Sequence, residues 1–141
     1  MAMTIRTGFA VSALVALVAA TGCDDSPTSP SELMGRMWRL VAIEPASGSS
    51  TVVIDPSRYW IEFISDTRIS VGADCNTCSG GYTLSGTNVS ISPLACTRAF
   101  CGEASLDIVF MQSLTEAKTL TLDSQLLEIR SDARTLKLRA E

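Results

Sequence analysis

The sequence predicts a mostly β (α+β) fold: a small barrel-like or sandwich antiparallel sheet of about eight short strands with one helix. Three observations predict it. Short runs with apolar residues at alternate positions recur from Leu33 onward, separated by Gly, Ser, Asp and Asn. A single later stretch changes to helical period. Four cysteines stand in two close pairs, as in a small exported domain stapled by disulfides.

The amino terminus comes first and does not belong to that fold. Met1 to Thr7 carries Arg6 and no acid, and Phe9 to Ala20 is a near-continuous apolar run. The run suits the core of a signal peptide and is short for a transmembrane helix, which needs about 20 apolar residues. Ala20-Thr21-Gly22-Cys23 then resembles a bacterial lipobox. The expected organisation is a signal peptide over 1–22, a lipid-bearing Cys23 opening a polar, proline-containing tether over 23–31, and a folded domain over 32–141. A doubly or triply acylated cysteine holds a membrane far better than a single chain does. The expected location is the cell envelope, facing the periplasm or the exterior.

The domain opens with Leu33 to Ile43, where Trp38, Leu40 and Ala42 alternate with Arg39, Val41 and Ile43. Pro45 to Ser50 reads as a loop. Tyr59 to Ile64 alternates again, Ser65-Asp66 is turn chemistry, and Arg68 to Val71 returns as the second arm of a hairpin. Gly80-Gly81 leads into a strand at Tyr82 to Leu84, and Ser85 to Asn88 turns the chain into Val89 to Ile91. Asn88-Val89-Ser90 matches a glycosylation acceptor but reads as part of that turn. Leu106, Val109, Phe110, Leu114 and Ala117 fall at helical spacing within Glu103 to Ala117, with Glu103 and Asp107 in the first turns. Thr119 to Leu122, Leu126 to Arg130 and Thr135 to Leu138 complete the strands.

Composition narrows function more than it identifies it. The 141 residues carry a net charge of −4 and no histidine. The acidic balance argues against nucleic acid as a partner. Without histidine, the Ser-His and Cys-His nucleophile systems and the commonest general base are absent. The acids Glu44, Asp55, Glu62, Asp66, Asp74 and Glu103 are scattered singly, so no catalytic residue, cofactor site or metal site is expected. Cys75-Asn76-Thr77-Cys78 has the spacing of a thiol exchange motif, but a strand follows it where such motifs open a helix. Four thiolates could also hold zinc, although an oxidising compartment favours disulfides. Asn76 is expected in a tight turn and Tyr82 in the core. Cys75, Cys78, Cys96 and Cys101 are therefore read as two disulfides, and spacing leaves their nested and crossed pairings open.

The order of Trp38-Arg39-Leu40, Cys75-Asn76, Ser79-Gly80-Gly81-Tyr82, and Thr97 to Cys101 with Glu103 resembles the META domain family, also called HslJ-like domains. The family pattern has Gly where Asp74 stands, and Met-Ala where Ala99-Phe100 stands. The resemblance implies a β-rich domain with one helix, common in envelope lipoproteins and without an agreed molecular activity. It implies that Cys75 pairs with Cys101, the family's usual two cysteines, which leaves Cys78 for Cys96. The expected function is a non-enzymatic binding, stabilising or stress-tolerance role at the membrane surface. A sharper form, by likeness to secretin pilotins, is an apolar groove that takes a lipid chain or a helix of an envelope partner.

Overall fold

Period-two patterning is realised as ten antiparallel strands in one sheet. The computed structural model describes residues 28–141; the apolar run, Cys23 and the first part of the tether lie outside the described residues. The elements are α1 (Pro30–Leu33), β1 (Met37–Pro45), β2 (Thr51–Val52), β3 (Tyr59–Phe63), β4 (Arg68–Ala73), β5 (Asn76–Ser85), β6 (Asn88–Ile91), β7 (Ala95–Cys96), α2 (Asp107–Thr115), β8 (Thr119–Asp123), β9 (Leu126–Arg130) and β10 (Arg134–Ala140). Neighbours run β10, β9, β8, β6, β5, β4, β3, β1, and β1 pairs again with β10 along its whole length. Eight strands thus close into a barrel, which removes the exposed sheet edges. The two-residue strands β2 and β7 are additions on β1 and β5.

Alternation places the core. Along β3, Tyr59, Ile61 and Phe63 are buried while Trp60 and Glu62 are half-buried outside. Outside the barrel, Trp60 lies across Gly72, where an added Cβ would fall 2.1 Å from the indole Nε1. Trp38 and Leu40 point inward from β1, and the Trp38 indole donates to the Leu33 carbonyl at 2.9 Å. Each fully buried side chain of this size contributes about 1.5–3 kcal/mol. Strict alternation would next turn Ala42 inward. Instead β1 slips one residue against β10 between Leu40 and Ala42, and the bulge hands the inward position to Ile43.

Helix α2 is shorter than its apolar period suggests. The Leu106 N–H is taken by the Tyr59 hydroxyl at 3.0 Å and the Asp107 N–H by the Ser105 hydroxyl at 3.2 Å, so no helical turn precedes Leu106, whose carbonyl accepts the first helical bond from the Phe110 N–H at 2.8 Å. Glu103 lies in the preceding turn, exposed, and not in the helix. Phe110 and Leu114 are fully buried against the barrel, where α2 packs on β4, β6 and β10. The helix lies beside the thinnest joint of the barrel: β6 and β8 share one register pair, Asn88 with Thr119.

The two ends of the barrel differ. Glu32 caps α1 by accepting from the Ser29 N–H at 2.7 Å, and Met34 bridges to Phe63. Tyr59, at the other end of β3, reaches Asp74 and Ser105. The chain therefore enters the domain at the end opposite the 97–106 loop and the start of α2.

Candidate functional site

β4 and β5 are joined by the two-residue loop Asp74-Cys75, since Ala73 pairs with Asn76. Asp74 adopts φ 61°, the left-handed region that Asp tolerates better than most residues. Its side chain is only 1% exposed and forms an ion pair with Arg58. The Tyr59 hydroxyl donates to Oδ2 at 3.0 Å, and the Asp74 N–H donates to the Arg58 carbonyl at 2.8 Å. Burial pushes the Asp74 carboxyl up, but the Ser105 and Tyr59 hydroxyls and the Arg58 guanidinium outweigh it and hold it below the usual carboxylate range. This network fixes the turn before α2 to the end of the barrel.

Asn76 begins β5, immediately past the loop, instead of forming the turn itself. Its carboxamide behaves as a stand-in peptide group: Nδ2 donates to the Ala99 carbonyl at 3.0 Å, and Oδ1 accepts from the Ala99 N–H at 2.8 Å. Oδ1 also accepts from the Thr97 hydroxyl at 3.0 Å. The pairing of β7 with β5 is thereby extended past the point where β5 ends. Two disulfides bind the same segments covalently. Cys75 joins Cys101 with Cα atoms 5.5 Å apart, and Cys78 joins Cys96 with Cα atoms 4.1 Å apart. Cys78 and Cys96 are direct cross-strand partners. All four thiols are consumed, and Cys75 and Cys78 are not bonded to each other, so the C-x-x-C lacks the internal disulfide of an exchange motif. Among the described residues no group of three or more His, Cys, Asp or Glu side chains is placed to hold a metal ion.

Between the stapled 94–100 segment and α2 lies an open groove of about 580 Å³. Leu94, the Cys78–Cys96 bridge and Met111 give it an apolar lining, and Phe100 and Ile108 stand at 85% and 78% exposure. Gly80 makes the placement of Leu94 possible, because a Cβ there would fall 2.4 Å from Leu94 Cδ2. A second hollow of about 350 Å³, on the other side of the segment entering α2, is lined by Val52, Ile54, Ala104 and Leu106. Of the five large apolar side chains exposed among the described residues, four line these two hollows. Such clustering marks a binding surface more often than chance exposure does.

The family model described as META domain matches residues 31–141. The chain belongs to the META domain family. No curated protein sequence matches it. Among solved structures, it is similar to an NMR structure of a protein from Burkholderia xenovorans, with TM-score 0.63 and 18% identity over 97% of this chain and 99% of that one. It is also similar to a second protein solved by NMR, with TM-score 0.62 and 25% identity over 79% and 94%. A DUF4847 family protein from Bacteroides vulgatus ATCC 8482 matches with TM-score 0.59 and 14% identity over 77% and 94%. These likenesses speak for the barrel.

Within the META domain, the motif residues turn out to build the wall of the groove. Cys75, Asn76, Thr97 and Cys101 hold the 97–101 loop, and Gly80 seats Leu94. The Tyr82 ring is buried edge-on to Phe63 at 5.1 Å between centroids. Two more of the scattered acids serve local structure: Asp55 accepts from the Ser57 N–H at 3.1 Å, and Glu44 pairs with Lys137 at 3.0 Å. No single motif spans the groove, because Ile108 and Met111 on α2 belong to none. The motif residues mark its wall, and Phe100, which departs from the META pattern, stands at the rim.

Proposed function

We propose that this META domain protein is a non-enzymatic envelope lipoprotein, anchored through Cys23, whose groove beside α2 holds an apolar segment of an envelope partner. The observation that carries the reading is the open groove with Phe100 and Ile108 exposed beside it. Solvated phenyl and sec-butyl groups of this size gain about 1.5–3 kcal/mol each when covered. The position of the groove supports the same reading. The chain enters the barrel at the Met34–Phe63 end, so an acylated Cys23 holds that end toward the bilayer and leaves the groove end facing away. A surface turned from its own membrane suits a protein partner better than it suits the bilayer.

Photo-crosslinking amino acids placed at Phe100, Ile108 and, as a control, Ile64 test the reading in intact cells. Ile64 is also exposed but follows β3 at the other end of the barrel. Adducts are expected from positions 100 and 108 and not from 64, and Cys23→Ser is expected to release the protein from the membrane fraction. Equal adducts at all three positions, or none at any, overturn the groove as the binding site.

A further inference from the structure

We infer that the occupant of the groove is an extended peptide carrying an acidic side chain, added as a strand along the open edge of β7. The inference rests on the groove being a binding site and names what binds there.

The edge follows from the hydrogen-bond pattern. Thr97 donates its N–H to the Thr77 carbonyl at 3.1 Å, and Ala99 is paired through the Asn76 carboxamide. In an extended chain alternate residues turn their N–H and C=O to opposite edges. Thr97 and Ala99 therefore face β5, and Cys96 and Arg98, which line the groove, turn their backbone groups away from that strand. Among the described residues, no backbone partner reaches the N–H or C=O of Cys96 or Arg98. Elsewhere the barrel closes on itself, but here β6 has already parted from β8 and the edge continues alone along the groove.

That edge separates the possible occupants by chemistry. An acyl chain covering it would desolvate two N–H and two C=O groups and pair none of them, which costs free energy for every group left unmade. A helix already spends its backbone groups internally. An extended peptide supplies N–H and C=O in the matching alternation, with its own alternate side chains entering the groove over Leu94 and Met111. Charge narrows the sequence. Arg98 lines the 94–100 wall of the groove and has no ion-pair partner among the described residues, while Asp107 lines the α2 wall, so a carboxylate is favoured on the Arg98 side and disfavoured beside α2.

The test uses the full disulfide-bonded chain in lipid nanodiscs and a displayed library of random peptides, followed by synthetic copies of those selected. Selected peptides are expected to show apolar residues at alternate positions with an Asp or Glu among them. On binding, amide hydrogen exchange at Cys96 and Arg98 should slow. N-methylation of the peptide residues facing β7 should weaken binding about tenfold, while N-methylation of the intervening residues should not. Arg98→Ala should weaken the acidic peptides several-fold and leave neutral ones unchanged. Selection of peptides with apolar residues at helical spacing, or equal binding of both N-methylated sets, overturns strand addition while leaving the groove as the binding site. Protection of Cys96 and Arg98 without peptide, with a concentration-dependent dimer, assigns the edge to a second copy and likewise overturns it. If no peptide is enriched while crosslinks form at positions 100 and 108, the occupant is not an extended peptide; if neither occurs, the groove reading fails as well.

Discussion

Asp74 shows how much one residue can carry in this domain. Its backbone adopts the conformation that favours glycine, yet its carboxylate is the centre of the Arg58–Tyr59–Ser105 network. The two roles separate by substitution. Asp74→Gly keeps the turn and removes the carboxylate, which should cost about 1.5–3 kcal/mol for the lost charge-assisted bonds. Asp74→Ala should cost about 1 kcal/mol more, because alanine meets the left-handed region badly. Equal midpoints for the two variants in urea unfolding would mean that the backbone conformation is not constrained. The pH dependence has a definite sign. The carboxyl titrates lower folded than unfolded, so its contribution is fully present above the ordinary carboxylate value of about 4 and is lost as pH falls through the lower folded value. The stability of Asp74→Asn should fall less steeply below that pH than the wild type's, as read from denaturation midpoints. The sequence displays Asp74 as a departure from a glycine position and says nothing of Arg58 or Tyr59, because those partners become neighbours only when β3 and β4 pair.

At the scale of elements, legibility follows length and regularity. β3, β9 and β10 are regular alternations with one buried face, and they read directly from the chain. β2 and β7 are two residues long, too short for any period; they exist because long neighbours offer them an edge. The bulge in β1 is invisible for a different reason: Ala42 and Ile43 are both apolar, and only pairing with β10 decides which turns inward. The apolar spacing runs past the true start of α2 because Leu106 keeps the helical period while its N–H is committed to Tyr59. The groove is the least legible feature, since Leu94, Phe100, Ile108 and Met111 come from different elements. Gly80 offers a test at this scale. In Gly80→Ala the new methyl must displace the flexible end of Leu94, so the groove floor should change more than the fold does. Chemical-shift changes concentrated on Leu94 and Met111, with a thermal midpoint lowered by a few degrees at most, are the expected result; a globally altered spectrum counts against it.

For the whole molecule, the closing pair β1–β10 and the narrow β6–β8 joint set the balance of stability. The first runs the length of both strands, whereas the second is one register pair beside which a helix is packed. The disulfides fasten the other end of β5, where β7 and the 97–101 loop lie against it. Removing Cys75–Cys101 through a double substitution to serine should cost about 2–4 kcal/mol. Removing Cys78–Cys96 by a double substitution to alanine should cost less with Cys75–Cys101 intact than in the variant that lacks it, because the intact outer bridge already restricts the loop. Denaturation of four oxidised forms, the wild type, the two variants that each lack one bridge and the variant lacking both, measures both quantities. A larger loss from the inner bridge would show that its role is in native packing around Met111 and not in restricting the unfolded chain.

The nested bridges also bear on how the domain survives damage to its backbone. The hairpin tip between β5 and β6 is exposed at Ser85 and Gly86, open to a protease of broad specificity such as subtilisin. A cut there falls inside both covalent rings, so neither fragment can leave. The nicked protein should migrate as one band without reductant and as two with it, and it should keep the 94–100 wall in place through the β5–β7 ladder and the Asn76 bonds. A wall held from both sides of the scission point remains standing after the chain has been broken.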